Sequence, residues 1–232
     1  MTRALRRPFL LSLAAAALVA GCGDNTKTAT TDAPSATLAP TTDAASTTGE
    51  SGCAPADGSA SQQQRFDAAP PMCLQQGTAY AAVLETNHGT LHITLRADIA
   101  PLTVNNFVNL ARYHYFDGTT CHRAIKNFVV QCGDPTATGT GDPGYSFADE
   151  LPTEAYQIGS IAMANSGPDT NGSQFFIISG SDGAALPPNY SLFGQVDAAD
   201  LPVVAGLDAL ANPADGPPLQ RIDIVSVTIT EQ

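Results

Sequence analysis

The chain has 232 residues, 43% of them hydrophobic, which is the composition of a globular protein and not of a disordered one. Its formal net charge of −12 argues against binding to nucleic acid, because no basic stripe able to displace phosphate counterions is present. The same charge disfavours electrostatic docking to anionic lipid. We therefore expect one or two folded domains without a nucleic-acid partner.

The first 21 residues have the features of an export signal. Arg3, Arg6 and Arg7 form a positive segment, and the apolar stretch that follows is too short to span a bilayer comfortably. It ends in LVAGC, which resembles the lipobox of bacterial lipoprotein signal peptides, where cleavage precedes the cysteine and the lipid attaches to it. We expect removal of this segment, a lipid anchor on Cys22 and an extracytoplasmic protein held at the cell membrane. The alternative is an ordinary secretory signal followed by a chance cysteine.

The next two segments differ in composition. Residues 22–52 are rich in Thr, Ala, Ser and Pro without apolar periodicity, which predicts a disordered tether with a typical reach of about 30 Å. Residues 53–78 form a Cys-containing extension, with Phe66 among its few large apolar residues. Because disulfides persist outside the cytoplasm, we expect a bond between Cys53 and Cys73 that staples this extension.

From residue 79 to residue 232 the pattern is that of one mainly-β domain. The strings YAAVLET and LHITLR flank NHG, which predicts an antiparallel hairpin. Apolar residues at helical spacing from Val104 predict a helix, and Pro101 suits its first turn. Further short apolar runs predict strands, residues 201–211 a second helix, and RIDIVSVTIT a closing strand. We predict a closed antiparallel barrel capped by two α-helices.

The stretch CHRAIKNFVVQCGD, residues 121–134, concentrates reactive side chains. Cys121 and His122 are adjacent, so on a strand they point to opposite faces and can form neither a metal site nor a thiolate–imidazole pair. No CxxC or HxxxH spacing accompanies them, which predicts no metal. No G-x-S-x-G elbow, P-loop or dinucleotide fingerprint occurs either, so we expect no cofactor.

Three motifs occur in order along the chain: YFDGTTCHRAIKNFVVQCGDP, MANSGPDTNGSQFFI at 163–177 and LPPNYSLFGQV at 186–196. Together they resemble the signature segments of a known family, the cyclophilins. The resemblance covers about residues 79–230 and implies an eight-stranded antiparallel barrel capped by two helices. It also implies a peptidyl-prolyl cis–trans isomerase that acts on proline-containing polypeptides. We expect a monomer that assists the folding of exported proteins.

The resemblance also assigns roles to individual residues. It makes Arg123 the catalytic residue, a donor to the prolyl nitrogen, and an arginine suits this role because it is always charged and carries five fixed N–H donors. The wall that holds the proline ring consists of Phe128, Val129, Phe176 and Leu186, with Tyr190 at its rim. The remaining substrate-binding residues are His122, Gln131, Ala164, Asn165 and Gln174.

Two alternatives stay open at this point. Phe128 and Phe176, each taken alone, also suit simple barrel core.

The chain also departs from the family, with Tyr190 in place of a frequent His and with no Trp, whose usual position falls near Ala185. We therefore expect weak cyclosporin binding. A peptide-binding module with little catalysis is the alternative function.

The pairing of Cys121 with Cys132 depends on hairpin register. If the loop has two residues, Cys121 lies directly opposite Cys132 and a disulfide is feasible. If the loop has one more residue, or a bulge intervenes, Arg123 faces Gln131, as the resemblance prefers. The two cysteines would then be diagonal and on opposite faces. The sequence leaves both registers open.

Overall fold

The computed structural model describes residues 52–232. The predicted signal segment, Cys22 and the tether up to residue 51 lie outside the described residues. The strands are β1 Tyr80–Thr86, β2 Gly89–Leu95, β3 Arg123–Ile125, β4 Val129–Cys132, β5 Ser160–Met163, β6 Phe175–Ile178, β7 Leu192–Val196 and β8 Ile224–Glu231. The helices are α1 Pro101–Arg112, α2 Ser181–Ala184 and α3 Leu201–Ala209, with a 3-10 turn at Ala198–Asp200.

The eight strands form one antiparallel sheet in the order β3-β4-β6-β5-β7-β2-β1-β8. This confirms the predicted mainly-β fold with eight antiparallel strands. The predicted closed barrel is corrected to an open, curled sheet, because no ladder joins the end strands β3 and β8 within the described residues. The segment before β3 meets the start of β8. The Ile224 N–H donates to the Thr119 carbonyl at 2.8 Å, and the Gly118 N–H donates to the Ile224 carbonyl at 2.9 Å, next to an isolated bridge between Thr120 and Asp223.

The outer edge of β3 is covered by a loop instead of by β8. The Ala124 N–H donates to the Gly216 carbonyl at 3.0 Å, and the Lys126 N–H donates to the Asn212 carbonyl at 2.8 Å. An edge strand with unpaired backbone groups needs such a cover. Because the loop at residues 212–216 occupies this edge, β8 cannot pair there and the sheet stays open.

Helix α1 packs its apolar face into the core, as the spacing predicted. That face consists of Val104, Phe107, Val108 and Ala111, all buried. Helix α3 begins at the predicted residue and ends at Ala209, two residues earlier than predicted, and it buries Val204 and Leu207. The short helix α2 was not predicted, so three helices accompany the sheet where the expectation was two.

Alternation along the strands produces an apolar cluster on each side of the sheet. On β6, Phe175 and Ile177 belong to the main core, whereas Phe176 and Ile178 belong to a smaller second cluster. The rest of the second cluster is Val129, Tyr156, Ala162 and Leu192, with Phe128, Leu186 and Tyr190 among the residues packed against it. Phe128 and Phe176 are therefore associated with the smaller cluster and not with the main core.

The N-terminal extension, residues 53–78, is bound to helix α1 by side chains of that helix. The predicted Cys53–Cys73 disulfide is present. The Cys73 N–H donates to Asn105 Oδ1 at 2.7 Å, and the Ala54 N–H donates to Asn109 Oδ1 at 2.8 Å. Both asparagines are buried; the Ala54 bond is shielded from water, and the Cys73 bond is partly shielded.

Phe66 inserts the extension into the main core. Its side chain is 3% exposed, and its ring lies 5.2 Å from the ring of Tyr113 and 6.3 Å from that of Tyr145. The neighbouring backbone is bound to the same region, because the Gln63 N–H donates to the Tyr113 carbonyl at 2.9 Å. The extension is thus part of the packed body of the protein.

Candidate active site

The hairpin of β3 and β4 has the longer of the two loops considered. The Phe128 N–H donates to the Ile125 carbonyl at 3.1 Å, and Asn127 has a φ of 60°. Asparagine tolerates this left-handed conformation better than most residues, which suits a three-residue loop. Arg123 accordingly pairs with Gln131, so their side chains lie on the same face of the sheet.

A disulfide joins Cys121 and Cys132 in this same register. The predicted placement of the two cysteines on opposite faces in this register is therefore wrong. Strand β3 begins only at Arg123, and the Cys121 N–H donates instead to the Ile222 carbonyl at 2.9 Å. Because Cys121 lies before the regular strand, strand alternation does not apply to it, and both cysteines are buried in the main core.

The second apolar cluster opens into a pocket of about 210 Å³. The lining consists of Arg123, Phe128, Val129, Gln131, Ala164, Asn165, Phe176, Leu186 and Tyr190, all of them predicted site residues. The rings of Phe176 and Tyr190 meet edge to face at 5.3 Å, and the Arg123 guanidinium lies 5.9 Å from the centre of the Phe128 ring. The pocket therefore presents one cation at the edge of an apolar wall.

The Arg123 guanidinium is held by two partners. Its Nε–H and Nη2–H groups donate to the two carboxylate oxygens of Asp215 at 2.6 and 3.1 Å, and its Nη1–H group donates to Gln131 Oε1 at 3.2 Å. An arginine has five N–H groups, so these bonds leave two for a ligand. The hydrogen bond from Arg123 lowers the pKa of Asp215, so this carboxylate is ionised at neutral pH.

Sequence reasoning did not identify Asp215. It lies 92 positions from Arg123 and outside the three motifs. The dipeptide Asp215–Gly216 signals only a turn. Nothing in its spacing connects that turn to the arginine.

A chain of amide groups connects Arg123 to a neighbouring loop. Gln131 Nε2 donates to Gln174 Oε1 at 3.0 Å, and Gln174 Nε2 donates to the carbonyls of Gly139 and Gly141 at 3.1 and 3.0 Å. Each amide orients the next, so the loop carbonyls determine how Gln131 faces the arginine.

The buried carboxylate of Asp134 organises that loop, residues 136–141. It accepts hydrogen bonds from the N–H groups of Thr136, Gly139 and Gly141 at 2.7, 2.6 and 3.0 Å. Burial opposes its ionisation, but these bonds and the Thr136 hydroxyl lower the pKa of Asp134 to about 2. The loop is thus built around a permanent negative charge.

A second, more polar pocket of about 380 Å³ adjoins the first. The two share Gln131, Ala164 and Asn165, and the predicted residue Gln174 lines only the second. Together they form a groove whose apolar end lies beside Arg123 and whose polar end lies along the loop. An extended peptide would fit such a groove with its apolar and polar parts separated.

His122 is the one predicted residue that lines neither pocket. Its ring is half-buried, and neither ring nitrogen has a hydrogen-bond partner among the described residues. Burial lowers the pKa of His122. The Asp134 charge acts in the opposite direction, and the Arg123 charge lowers the pKa further. The ring is therefore neutral at pH 7.

Tyr156 supports the pocket rim and was not identified from the sequence. Its hydroxyl donates to the Tyr190 carbonyl at 2.7 Å and accepts the Tyr190 N–H at 3.0 Å. Burial raises the pKa of Tyr156 to about 12, so the hydroxyl keeps its proton. The backbone of the rim residue Tyr190 is fixed by these two bonds.

Residues 52–232 contain no group of three or more His, Cys, Asp or Glu side chains that could hold a metal ion. Over the same residues, no helix has the length and hydropathy needed to cross a membrane.

Comparison with known proteins places this groove in a family. The model of the cyclophilin type peptidyl-prolyl cis-trans isomerase/CLD family matches residues 81–229. A probable peptidyl-prolyl cis-trans isomerase B from Mycobacterium tuberculosis is 40% identical over 163 residues, which cover 62% of this chain and 52% of the relative. A probable peptidyl-prolyl cis-trans isomerase A from Mycobacterium bovis is 41% identical, over 64% of this chain and 91% of the relative.

A solved structure shows the same fold. The crystal structure of a Cryptosporidium parvum cyclophilin type peptidyl-prolyl cis-trans isomerase is 32% identical, with a TM-score of 0.60, and the match covers 66% of this chain and 99% of that one. The same protein has also been solved in the presence of the dipeptide Ala-Pro. The chain spans about half the length of the first relative named above. With a family model matched over most of its length, the chain belongs to the cyclophilin-type peptidyl-prolyl cis–trans isomerase family.

Proposed function

We propose that the protein catalyses cis–trans isomerisation of X-Pro peptide bonds. One observation carries the proposal: Arg123 keeps two N–H groups free at the edge of an apolar pocket. The pocket walls supplied by Phe128, Phe176 and Leu186 hold the proline ring, and Arg123 donates to the prolyl nitrogen. Proline-containing polypeptides are thus the substrates.

The reaction needs a donor more than a nucleophile or a base. Amide resonance sets a barrier of about 18–20 kcal/mol, and uncatalysed X-Pro isomerisation takes on the order of tens to hundreds of seconds. As the C–N bond twists, the nitrogen lone pair leaves the resonance system and becomes able to accept a hydrogen bond. No bond is made and no proton is lost, so an always-charged donor such as Arg123 suits the step.

The arginine supplies only part of the acceleration. A preorganised donor contributes about 3–4 kcal/mol, or roughly 10²–10³ in rate. The remainder comes from the pocket, which excludes water around the hydrogen bond and holds the ring while the other side of the bond rotates. Gln131, Ala164, Asn165 and Gln174 bind the peptide beside the proline along the polar end of the groove.

A protease-coupled assay with a proline-containing peptide tests this mechanism on the full chain. We expect Arg123→Ala to lower kcat/KM by roughly 10²–10³. Arg96→Ala is the matched control, because Arg96 pairs with Asp98 and Glu154 and does not line the two pockets of the groove. Equal rates for wild type and Arg123→Ala would contradict the mechanism. Peptide binding without acceleration by wild type would select the peptide-binding module.

We further propose that the protein is extracytoplasmic, anchored through lipid on Cys22, and assists the folding of exported proteins. The LVAGC string supports the anchor, and two disulfides in the described part suit an oxidising compartment. Incorporation of labelled palmitate into wild type but not into Cys22→Ser, with only the former in the membrane fraction, is the expected result. Unlabelled wild type in the soluble fraction would refute the anchor.

A further inference from the structure

We propose that Asp215 is a positioning residue of the isomerase site, which orients the Arg123 guanidinium so that its two free N–H groups face the proline pocket. This inference rests on the proposed function. Asp215 does not line the pocket, so it acts through the arginine and not on the substrate.

The backbone fixes Asp215 relative to the strand that carries Arg123. The Ala124 N–H donates to the Gly216 carbonyl at 3.0 Å, and the Asn212 N–H donates to the Ala124 carbonyl at 2.9 Å. Asn212 Oδ1 also accepts the Ala214 N–H at 3.0 Å, which closes the turn before Asp215. The loop and strand β3 therefore form one unit, and Asp215 has a fixed place beside the arginine.

The contact between the two side chains is of the kind that sets an orientation. Both oxygens of Asp215 accept from one side of the planar guanidinium, and this bidentate arrangement defines the plane of the group as well as its position. Gln131 adds one bond at 3.2 Å, which alone would leave the plane free to rotate. An arginine side chain has considerable rotamer freedom, so loss of the fork would spread its donors over many directions.

Orientation is the larger effect of Asp215, and charge the smaller one. The Asp215 side chain is 70% exposed and that of Arg123 30%, so water and salt screen the attraction between them. A donor that must meet the prolyl nitrogen as the bond twists depends on direction more than on net charge. The carboxylate therefore assists the reaction instead of competing with the substrate for the arginine.

A double-mutant cycle on the full chain tests this role. We expect Asp215→Ala to lower kcat/KM about tenfold, mainly through kcat, which is less than the roughly hundredfold loss that a 1 Å misplacement can cause. Asp215→Asn keeps the shape and one acceptor oxygen, so it should fall between Asp215→Ala and wild type. In an Arg123→Ala background, Asp215→Ala should change nothing further, because the residue acts only through the arginine.

Asp98→Ala is the matched control. Asp98 binds Arg96 by the same two-pronged arrangement, at 2.9 and 2.9 Å, and its side chain is 62% exposed. This pair lies outside both pockets of the groove, so the control should keep wild-type kcat/KM. Equal thermal unfolding midpoints for wild type and Asp215→Asn establish that its loss of activity is not a loss of fold.

Three results would overturn the inference while wild type is active and Arg123→Ala is impaired. The first two are a kcat/KM for Asp215→Ala that equals the wild-type value and one that exceeds it. The third is that Asp215→Ala lowers kcat/KM in the Arg123→Ala background by the same factor as in wild type. An inactive wild type would instead refute the proposed function. The two failures are therefore distinguishable in one set of assays.

Discussion

The hairpin of β3 and β4 and the N-terminal extension are each tied by a disulfide, but they contribute different things to the molecule. The hairpin carries Arg123 and Gln131 at the rim of a pocket, and its cysteines are buried below them. The extension places Phe66 in the main core and contributes no residue to either pocket of the groove. One region thus carries the proposed chemistry, whereas the other stabilises the body that presents it.

The extension nevertheless contacts a segment that continues from the active-site loop. The Phe66 N–H donates to the Pro143 carbonyl at 2.8 Å, and a side chain at Gly144, whose φ is 103°, would overlap the Phe66 carbonyl oxygen. Asp142, one residue before Pro143, lines the polar pocket, and its carboxylate lies 3.8 Å from the Arg65 guanidinium. That ion pair is exposed and adds little stability. The backbone contact of Phe66 with Pro143, and not the ion pair, is therefore the main link between the extension and this segment.

The largest expected effect is a difference in stability between alanine variants of two phenylalanines, Phe66 and Phe128. Phe66→Ala should lower the free energy of unfolding by about 3–5 kcal/mol, because a core ring is lost and a cavity remains. Phe128→Ala should cost much less stability, since Phe128 is only half-buried, but it should raise KM by weakening the proline pocket. Denaturant unfolding and the peptide assay on both variants measure this contrast. Similar stabilities for the two variants would remove the distinction between the regions.

The next prediction concerns the stability and activity that are lost when either disulfide is removed. Cys53 and Cys73 are 20 positions apart and Cys121 and Cys132 are 11, so loop-closure entropy gives each bond a similar contribution of about 3 kcal/mol. We expect paired Cys→Ser variants to lose similar stability. Only loss of the hairpin disulfide should also lower kcat/KM at a temperature where both variants are folded, since that bond lies beside Arg123. Equal losses of activity would show that the extension acts on the site as strongly as the hairpin does.

The smallest expected effect is a pH dependence of stability from the contact between His114 and the extension. His114 Nδ1 lies 2.8 Å from Asp117 Oδ2, and Nε2 lies 2.9 Å from the Gly58 carbonyl oxygen. Both partners only accept, so both bonds require a doubly protonated ring. The Gly58 carbonyl, followed by the Asp117 carboxylate, raises the pKa of His114.

Linkage gives this effect its sign. A raised pKa in the folded state means that the stabilisation is complete below about pH 6.5 and is lost as the pH rises through the raised value. The ring is partly exposed, so we expect less than about 1 kcal/mol. His114→Asn, which suits the φ of 53° at this position, should remove the dependence. Unfolding midpoints that change in parallel for the two proteins across about pH 5–8, the interval in which histidine changes its charge, would contradict the assignment.

Much of the site was predictable because its residues belong to contiguous motifs. Period-two alternation places Val129 and Gln131 on one face of β4, and within β6 it separates Phe176 from Phe175 and Ile177. The helix at Pro101–Arg112 was equally predictable, since its apolar spacing is local. Predictions that rested on contacts between distant segments fared less well.

The closed barrel is the clearest such case. Whether β3 and β8 pair depends on which segment lies along the outer edge of β3. The loop at residues 212–216 lies there, and β8 does not. The hairpin disulfide is another case. It forms because Cys121 follows the Ile222 backbone before the strand begins, a pairing of residues about 100 positions apart that no local pattern expresses.

By itself, the sequence determined the family resemblance, the mainly-β fold and the residues that line the apolar pocket, because each depends on short-range periodicity or on motifs read along the chain. Only the tertiary structure decided that Asp215 binds Arg123, that Tyr156 fixes Tyr190 and that Phe66 belongs to the main core. The physical reason is common to the three. Each contact joins segments far apart in the chain, and its formation depends on the packing of the whole sheet and not on the residues around it.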